Sequence, residues 1–201
     1  MQPITKVRRT QAERTRASRE KIISAATQFF SQQGFHGAVM AEIAASAGLT
    51  LPGLLHHFPN KNELLMAVLA ERDRADKLRF EPVTSPTQHP PLYHLIRQVE
   101  YNETVPGLVQ LFSILVSESA QIEHPAHGFF KQRYATLRIT FTELLRAAQQ
   151  KGDIRTDIPA NQLAVMVISM MDGLQIQWLL DPSDVEMRTT FENFCRLMQT
   201  A

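Results

Sequence analysis

Apolar residues recur every three or four positions along most of the chain, the spacing of helices with one buried face. From about Arg16 onward, Ile22, Ile23, Ala26, Phe29 and Phe30 fall on one such face. Gly34 then stops the helix in the manner of a C-terminal glycine. A short connection over 35–38 leads to a second helix near 40–47, and Gly48-Leu49-Thr50 makes a tight turn into a third. Thr50 is placed to cap that third helix. Pro52 is tolerated in its first turn, where the amides have no intrahelical partner to lose. Pro59-Asn60 ends it, and Asn60 caps a fourth helix over 61–79.

The stretch 81–91 carries four prolines (Pro82, Pro86, Pro90, Pro91), which no helix interior accommodates. Helical spacing resumes over 92–103, 105–122 and 126–151, where Gly152 marks an end. It returns from Pro159 to Leu180, and over 184–199 after Asp181-Pro182-Ser183. The reading is an all-α chain of nine helices without a strand. Its expected organisation is a basic flexible arm over 1–15, a three-helix unit over 16–60 and a larger helical domain over 61–201.

Charge sharpens that division. The chain is +1 overall, but residues 1–61 carry eight Lys/Arg against three acids, a net +5, which leaves −4 on the remainder. A basic end on an acidic body indicates a polyanion-binding module. Cys195 is the single cysteine, so no intrachain disulfide framework exists. The basic start lacks the apolar core of a secretory signal. The most apolar run, 163–180, is interrupted by Asp172, Gln175 and Gln177 and reads as too polar for a membrane span. The expectation is a soluble cytoplasmic protein.

Residues 39–58, VMAEIAASAGLTLPGLLHHF, hold what a helix-turn-helix needs: small residues where two short helices cross, a glycine turn and apolar residues inside. Ala44 and Ala47 are the small surfaces and Gly48 is the turn. Ile43, Leu49, Leu54 and Phe58 lock the pair against the first helix. Thr50, Leu51, Pro52 and Gly53 sit at the start of the recognition helix, the end that enters a major groove. Leu51 and Pro52 offer apolar base contacts, and Gly53 permits close backbone approach. His56 and His57 are candidate phosphate donors. Lys61 at a helix N-terminus is another, and Arg8, Arg9, Arg14 and Arg16 are candidates to follow the DNA backbone.

The segments FFSQQGF, EIAASAGL and PGLLHHFPNKNELL, between Ile22 and Leu65, resemble the tetracycline-repressor (TetR) family of bacterial one-component regulators. GDIRTDI and MMDGLQIQWLL resemble the family's lead into its dimer helices more weakly. Two positions depart from the family pattern. Val39 stands where a capping hydroxyl is usual, and Leu55 where a phosphate-binding Tyr is usual. Leu55 is left to pack on a thymine methyl or a sugar face, or to turn inward. The resemblance implies a homodimer on a palindromic double-stranded DNA operator, released by a small effector through a tilt of the fourth helix. The last two helices would form a four-helix bundle with their symmetry mates.

The final helix carries the stripe Met187, Phe191, Phe194, Cys195 and Met198, expected to meet the second subunit. Tyr93, Phe112, Phe130, Tyr134, Met166, Met170 and Trp178 are the candidate effector-pocket residues, a set that favours an apolar or aromatic ligand. The polar atoms of His94, Arg97, Gln175 and Tyr134 are candidate orienting groups. Phosphate-binding, zinc-protease and nucleophile-elbow motifs are missing, so no enzyme and no cofactor are expected. Glu123, His124 and His127 are the best metal candidates, but read as loop residues, so no metal is expected either. An activator, or an architectural protein without a ligand, is the alternative.

Overall fold

The computed structural model describes residues 10–80 and 92–200, and among them nine helices. The first, α1 (Gln11–Gly37), begins where Thr10 and Glu13 form a reciprocal cap: the Thr10 hydroxyl accepts the Glu13 amide at 3.2 Å, and Glu13 accepts the Thr10 amide at 2.7 Å. The arm expected over 1–15 is therefore helical from Gln11. Arg8 and Arg9 lie outside the described residues. At Gly34 the backbone leaves helical geometry (φ 68°, ψ −177°), a conformation essentially confined to glycine.

Next come α2 (Met40–Ser46) and α3 (Leu51–His57). Gly48 turns between them with φ +74°, where an L side chain is strained. The N-terminal helices bury Ile22, Ala26 and Phe30 of α1, Ile43 and Ala44 of α2, and Leu54 of α3, with Phe58 beyond it. Small residues at Ala44 and Ala47 let the α2 and α3 backbones approach, as the sequence pattern requires. Asn60 caps α4 (Lys61–Phe80) by accepting the Glu63 amide at 2.9 Å and donating to the Glu63 carboxylate at 3.2 Å. The chain divides into two compact units within α4, between Arg72 and Asp73.

In the second unit, α5 (Tyr93–Glu103) follows Leu92, whose φ of 72° is unusual for a bulky residue and whose side chain is buried. Then come α6 (Pro106–Glu118), α7 (His127–Lys151), α8 (Ala160–Leu180) and α9 (Met187–Met198). Two helices are shorter than their periodicity suggests, because side chains build turns at their ends. Ser119 donates to the Val116 carbonyl after α6, and Asp181 accepts from the amides of Ser183 and Asp184 before α9. Gly152 ends α7 with φ +79°. An isolated antiparallel bridge between Ile154 and Gln199 ties that turn to the C-terminal end of α9.

Packing here corrects two expectations. Met187, Phe191, Cys195 and Met198 do not face a partner: they are buried in this unit's own core with Val99, Leu145, Val167 and Met171, and Phe194 packs against them. The strong amphipathicity of α9 thus arises from its own domain. Burial, with the Glu192 charge second, pushes the Cys195 thiol up to about 12, so the cysteine acts as a small apolar residue. By length and composition alone α8 is apolar enough to cross a membrane, contrary to the sequence reading. Its contacts give another cause. Leu163, Ala164, Val167 and Leu174 are buried, and α6, α7 and α9 all pack on α8.

Candidate nucleic-acid interface

The α3 helix separates its side chains cleanly into two sets. Leu54 and the following Phe58 point into the core, while Leu51, Pro52, Leu55 and His56 are exposed. Leu55 therefore points outward. Thr50 caps the helix, its hydroxyl accepting the Gly53 amide at 3.2 Å. A Cβ on Gly53 would come within 3.3 Å of that same hydroxyl oxygen, so glycine keeps both the cap and the outer surface clear. Val39, 47% exposed, makes no capping bond, as its missing hydroxyl dictates.

Two cationic side chains fasten this unit, and neither role is evident from spacing. Arg19 of α1 donates from Nη1 to the His57 carbonyl at 3.0 Å, with its guanidinium 4.3 Å from the Phe58 ring centre. It thereby holds the C-terminal end of α3 to α1. The Lys61 ammonium donates to the carbonyls of His36 at 3.2 Å and Ala38 at 3.0 Å, and lies 4.7 Å from the Phe35 ring centre. Expected at a phosphate, the ammonium instead joins the start of α4 to the end of α1. Burial, then the neighbouring His56, then Arg19 hold the His57 imidazole below its ordinary range. His57 thus offers a neutral ring N–H rather than a charge. Arg14 is exposed, and Arg16 pairs with Glu20 at the surface, where such a pair is weak enough to yield to a polyanion.

The candidate effector residues behave unequally. Phe112 of α6 meets Phe130 of α7 edge-to-face at 5.6 Å, and Tyr134, Met170 and Trp178 pack against the second unit's core. Tyr93 is half-buried at the start of α5. Met166 does not belong with them: it is 46% exposed, on the opposite side of α8 from the core. Sequence reasoning picked out the polar atom of Tyr134 but missed its partner Asp172, and missed Arg133 and Asp73. The Tyr134 hydroxyl donates to Asp172 of α8 at 2.8 Å, and Arg133 of α7 pairs with Asp73 of α4. Burial raises the Asp172 carboxyl above its ordinary range, opposed by the Tyr134 bond and the Arg133 charge. An acid inside the apolar run of α8 is the available signal, and by spacing alone it reads only as an interruption of that run.

Among the described residues no cluster of metal-binding side chains occurs. His124 is turned inward, its Nδ1 accepting the Ala126 amide at 3.2 Å, and the His127 Nδ1 lies 2.9 Å from the Ser119 carbonyl oxygen. Both rings serve the turn before α7.

Residues 22–68 match the family model for bacterial regulatory proteins of the tetR family, and residues 116–198 match that for the C-terminal region of BetI-type transcriptional repressors. The regulator TtgR of Pseudomonas putida is 29% identical over 203 residues, covering 90% of this chain and 89% of that protein. A probable acrEF/envCD operon repressor of Escherichia coli is 25% identical over 179 residues, covering 87% of this chain and 81% of that protein. A putative transcriptional regulator from Saccharomonospora viridis, solved in complex with choline, has the same fold. Its TM-score is 0.79 at 22% identity, covering 92% of this chain and 98% of that one. With a helix-turn-helix at one end and a helical domain of the matching type at the other, the chain belongs to the TetR family of DNA-binding transcriptional regulators.

Proposed function

We propose that this regulator is a cytoplasmic homodimeric repressor, released from a palindromic operator when a small, mainly apolar or aromatic effector enters its second unit. The observation that carries the DNA-binding half is the two-sided α3, with Leu54 buried and Leu51, Pro52, Leu55 and His56 exposed on a capped helix. Such a surface reads bases by apolar contact, chiefly with thymine methyl groups. Backbone anchoring falls to Arg14, Arg16, the neutral His57 and His56. Two copies are needed because one short recognition helix binds weakly, and a two-fold dimer reads two half-sites. The dimer contact is the uncovered side of α8, where Val165, Met166, Ile176 and Leu180 follow one another along a single face. On the effector side, Tyr93, Phe112, Phe130, Tyr134, Met170 and Trp178 supply apolar and aromatic surface, with Asp172 as a polar anchor.

A thermal-shift screen of small aromatic and apolar compounds tests the release step. A compound that raises Tm by several degrees is then added to the protein on labelled DNA. Weakening of about 5- to 150-fold is the range expected of a coupled site. Compounds that bind and leave DNA affinity unchanged would contradict it.

The Lys61 geometry yields a separate expectation. Lys61→Met should lower stability by about 1–2 kcal/mol, because two carbonyls lose a charged donor. The salt dependence of DNA affinity should stay as it is. A slope shallower by about 0.9 would instead mark Lys61 as a phosphate contact.

A further inference from the structure

The exposed side of α3 is largely hydrocarbon. Leu51 and Leu55 are each 38% exposed and stand one above the other at i and i+4. Pro52 and His56 make a second exposed row beside them. Three of these four side chains carry no hydrogen-bonding group, and the fourth is an imidazole. The Thr50 hydroxyl next to them is engaged as the cap on the Gly53 amide. Residues 49–58 include no Arg, Lys, Asn, Gln, Asp or Glu, whose charged and amide groups read guanine, adenine and cytosine edges. Lys61, just beyond, turns its ammonium to the carbonyls of His36 and Ala38.

Such a surface has one complementary feature in the major groove. Guanine, adenine and cytosine present polar edges there, whereas thymine adds an apolar group, its C5 methyl. Cytosine has a hydrogen at the same ring position, and a methyl placed there makes 5-methylcytosine. The two methylated pyrimidines then differ at C4, where thymine presents an acceptor oxygen and cytosine a donor amine. Neither leucine nor proline side chains bond either atom, so the methyl is what Leu51, Pro52 and Leu55 distinguish.

We infer that α3 reads the C5 substituent of pyrimidines, with Leu51 and Leu55 as specificity-determining residues, and accepts 5-methylcytosine in place of thymine. This deepens the DNA-binding surface proposed above and rests on it. Methylation of an operator cytosine at a contacted step is then a second input to this regulator, separate from any effector in the second unit. It adds apolar contact and leaves the phosphate contacts as they are.

The test uses the full chain and a duplex that the wild-type protein enriches from a random-sequence pool. Deoxyuridine, which is thymidine without the methyl, replaces thymidine in that duplex. Affinity should fall about fourfold for each contacted methyl, the effect of losing one buried methyl group, with an unchanged salt slope. At a step where deoxyuridine weakens binding, a 5-methylcytosine–guanine pair should be bound about fourfold more tightly than a cytosine–guanine pair. Leu51→Ala combined with Leu55→Ala changes only surface side chains, so helix content should stay native while the thymidine and deoxyuridine duplexes bind alike. The base substitutions need no altered protein, so they stand even if that variant binds too weakly to compare.

Equal wild-type affinity for the thymidine and deoxyuridine duplexes would overturn the inference. A 5-methylcytosine pair bound no better than cytosine, or a methyl preference that survives in the leucine variant, would do the same. Failure of the wild-type protein to enrich any duplex would overturn the DNA-binding reading itself, which is a distinct result.

Discussion

Gly53→Glu should abolish specific DNA binding, by at least about 100-fold, while the protein stays folded. The carboxylate would stand at the start of α3, on the surface offered to a polyanion, where like-charge juxtaposition costs several kcal/mol. In a dimer it would do so twice. The folded state loses little. Glutamate gains about 0.5 kcal/mol of helix propensity over glycine, and disturbing the Thr50 cap costs about 1 kcal/mol, since the new Cβ lies 3.3 Å from the cap oxygen. Anisotropy on labelled DNA, paired with thermal melting by circular dichroism, separates the two effects. Gly53→Ala carries the crowding without the charge and should weaken binding far less. An unaltered gel shift for Gly53→Glu would move the reading surface away from α3.

Ile176→Glu combined with Leu180→Glu should dissociate the dimer and, through that, remove operator binding. Ile176 is 51% and Leu180 82% exposed, one helical turn apart on the uncovered face of α8. Covering such side chains contributes about 1.5–3 kcal/mol each when burial is complete, and two carboxylates opposed to their symmetry copies reverse the sign. Sedimentation at micromolar concentration should show a monomer with native helix content. A variant that still sediments as a dimer would place the interface elsewhere. Phe191 is unsuited to this purpose. It is fully buried in its own protomer, so charging it would unfold the domain rather than dissociate a dimer.

That contrast shows what the sequence makes legible. Periodicity identifies the apolar face of α9 correctly, because Met187, Phe191, Cys195 and Met198 do share one face. It carries no information on what covers that face, since a protomer's core and a partner subunit select the same residues. On α8 the ambiguity runs the other way. A helix apolar nearly all round leads one to expect cover on both sides without saying which residue faces which way: Met166 lies on the outer side and Met170 on the inner one. Local signals serve better. Gly48, Thr50 and Asn60 set turn and caps by short-range chemistry and stand where expected. The Thr10–Glu13 cap is equally readable, as a hydroxyl followed three residues later by a carboxylate, yet the apolar stripe that begins later is the stronger signal and hides it.

The electrostatic ties are the least legible. Lys61 with the carbonyls of residues 36 and 38, Arg19 with that of 57, and Arg133 with Asp73 join residues between 23 and 60 positions apart. Nothing in local spacing selects such partners, and the same basic residues satisfy a phosphate-contact reading equally well. The Lys61 ammonium donates to two backbone carbonyls of its own unit, burial holds the His57 imidazole below its ordinary range, and Leu51, Pro52, Leu55 and His56 are exposed on α3.

The most direct measurement is an enrichment of random-sequence duplex DNA by the full-length protein, followed by footprinting of the selected sites. A dimer presenting two α3 helices should enrich a two-fold symmetric site. Its half-sites should lie about 10–10.5 base pairs apart, or a multiple of that, with major-groove protection centred on each. Enrichment of no sequence, or of an asymmetric site protected over a single groove, would contradict that arrangement.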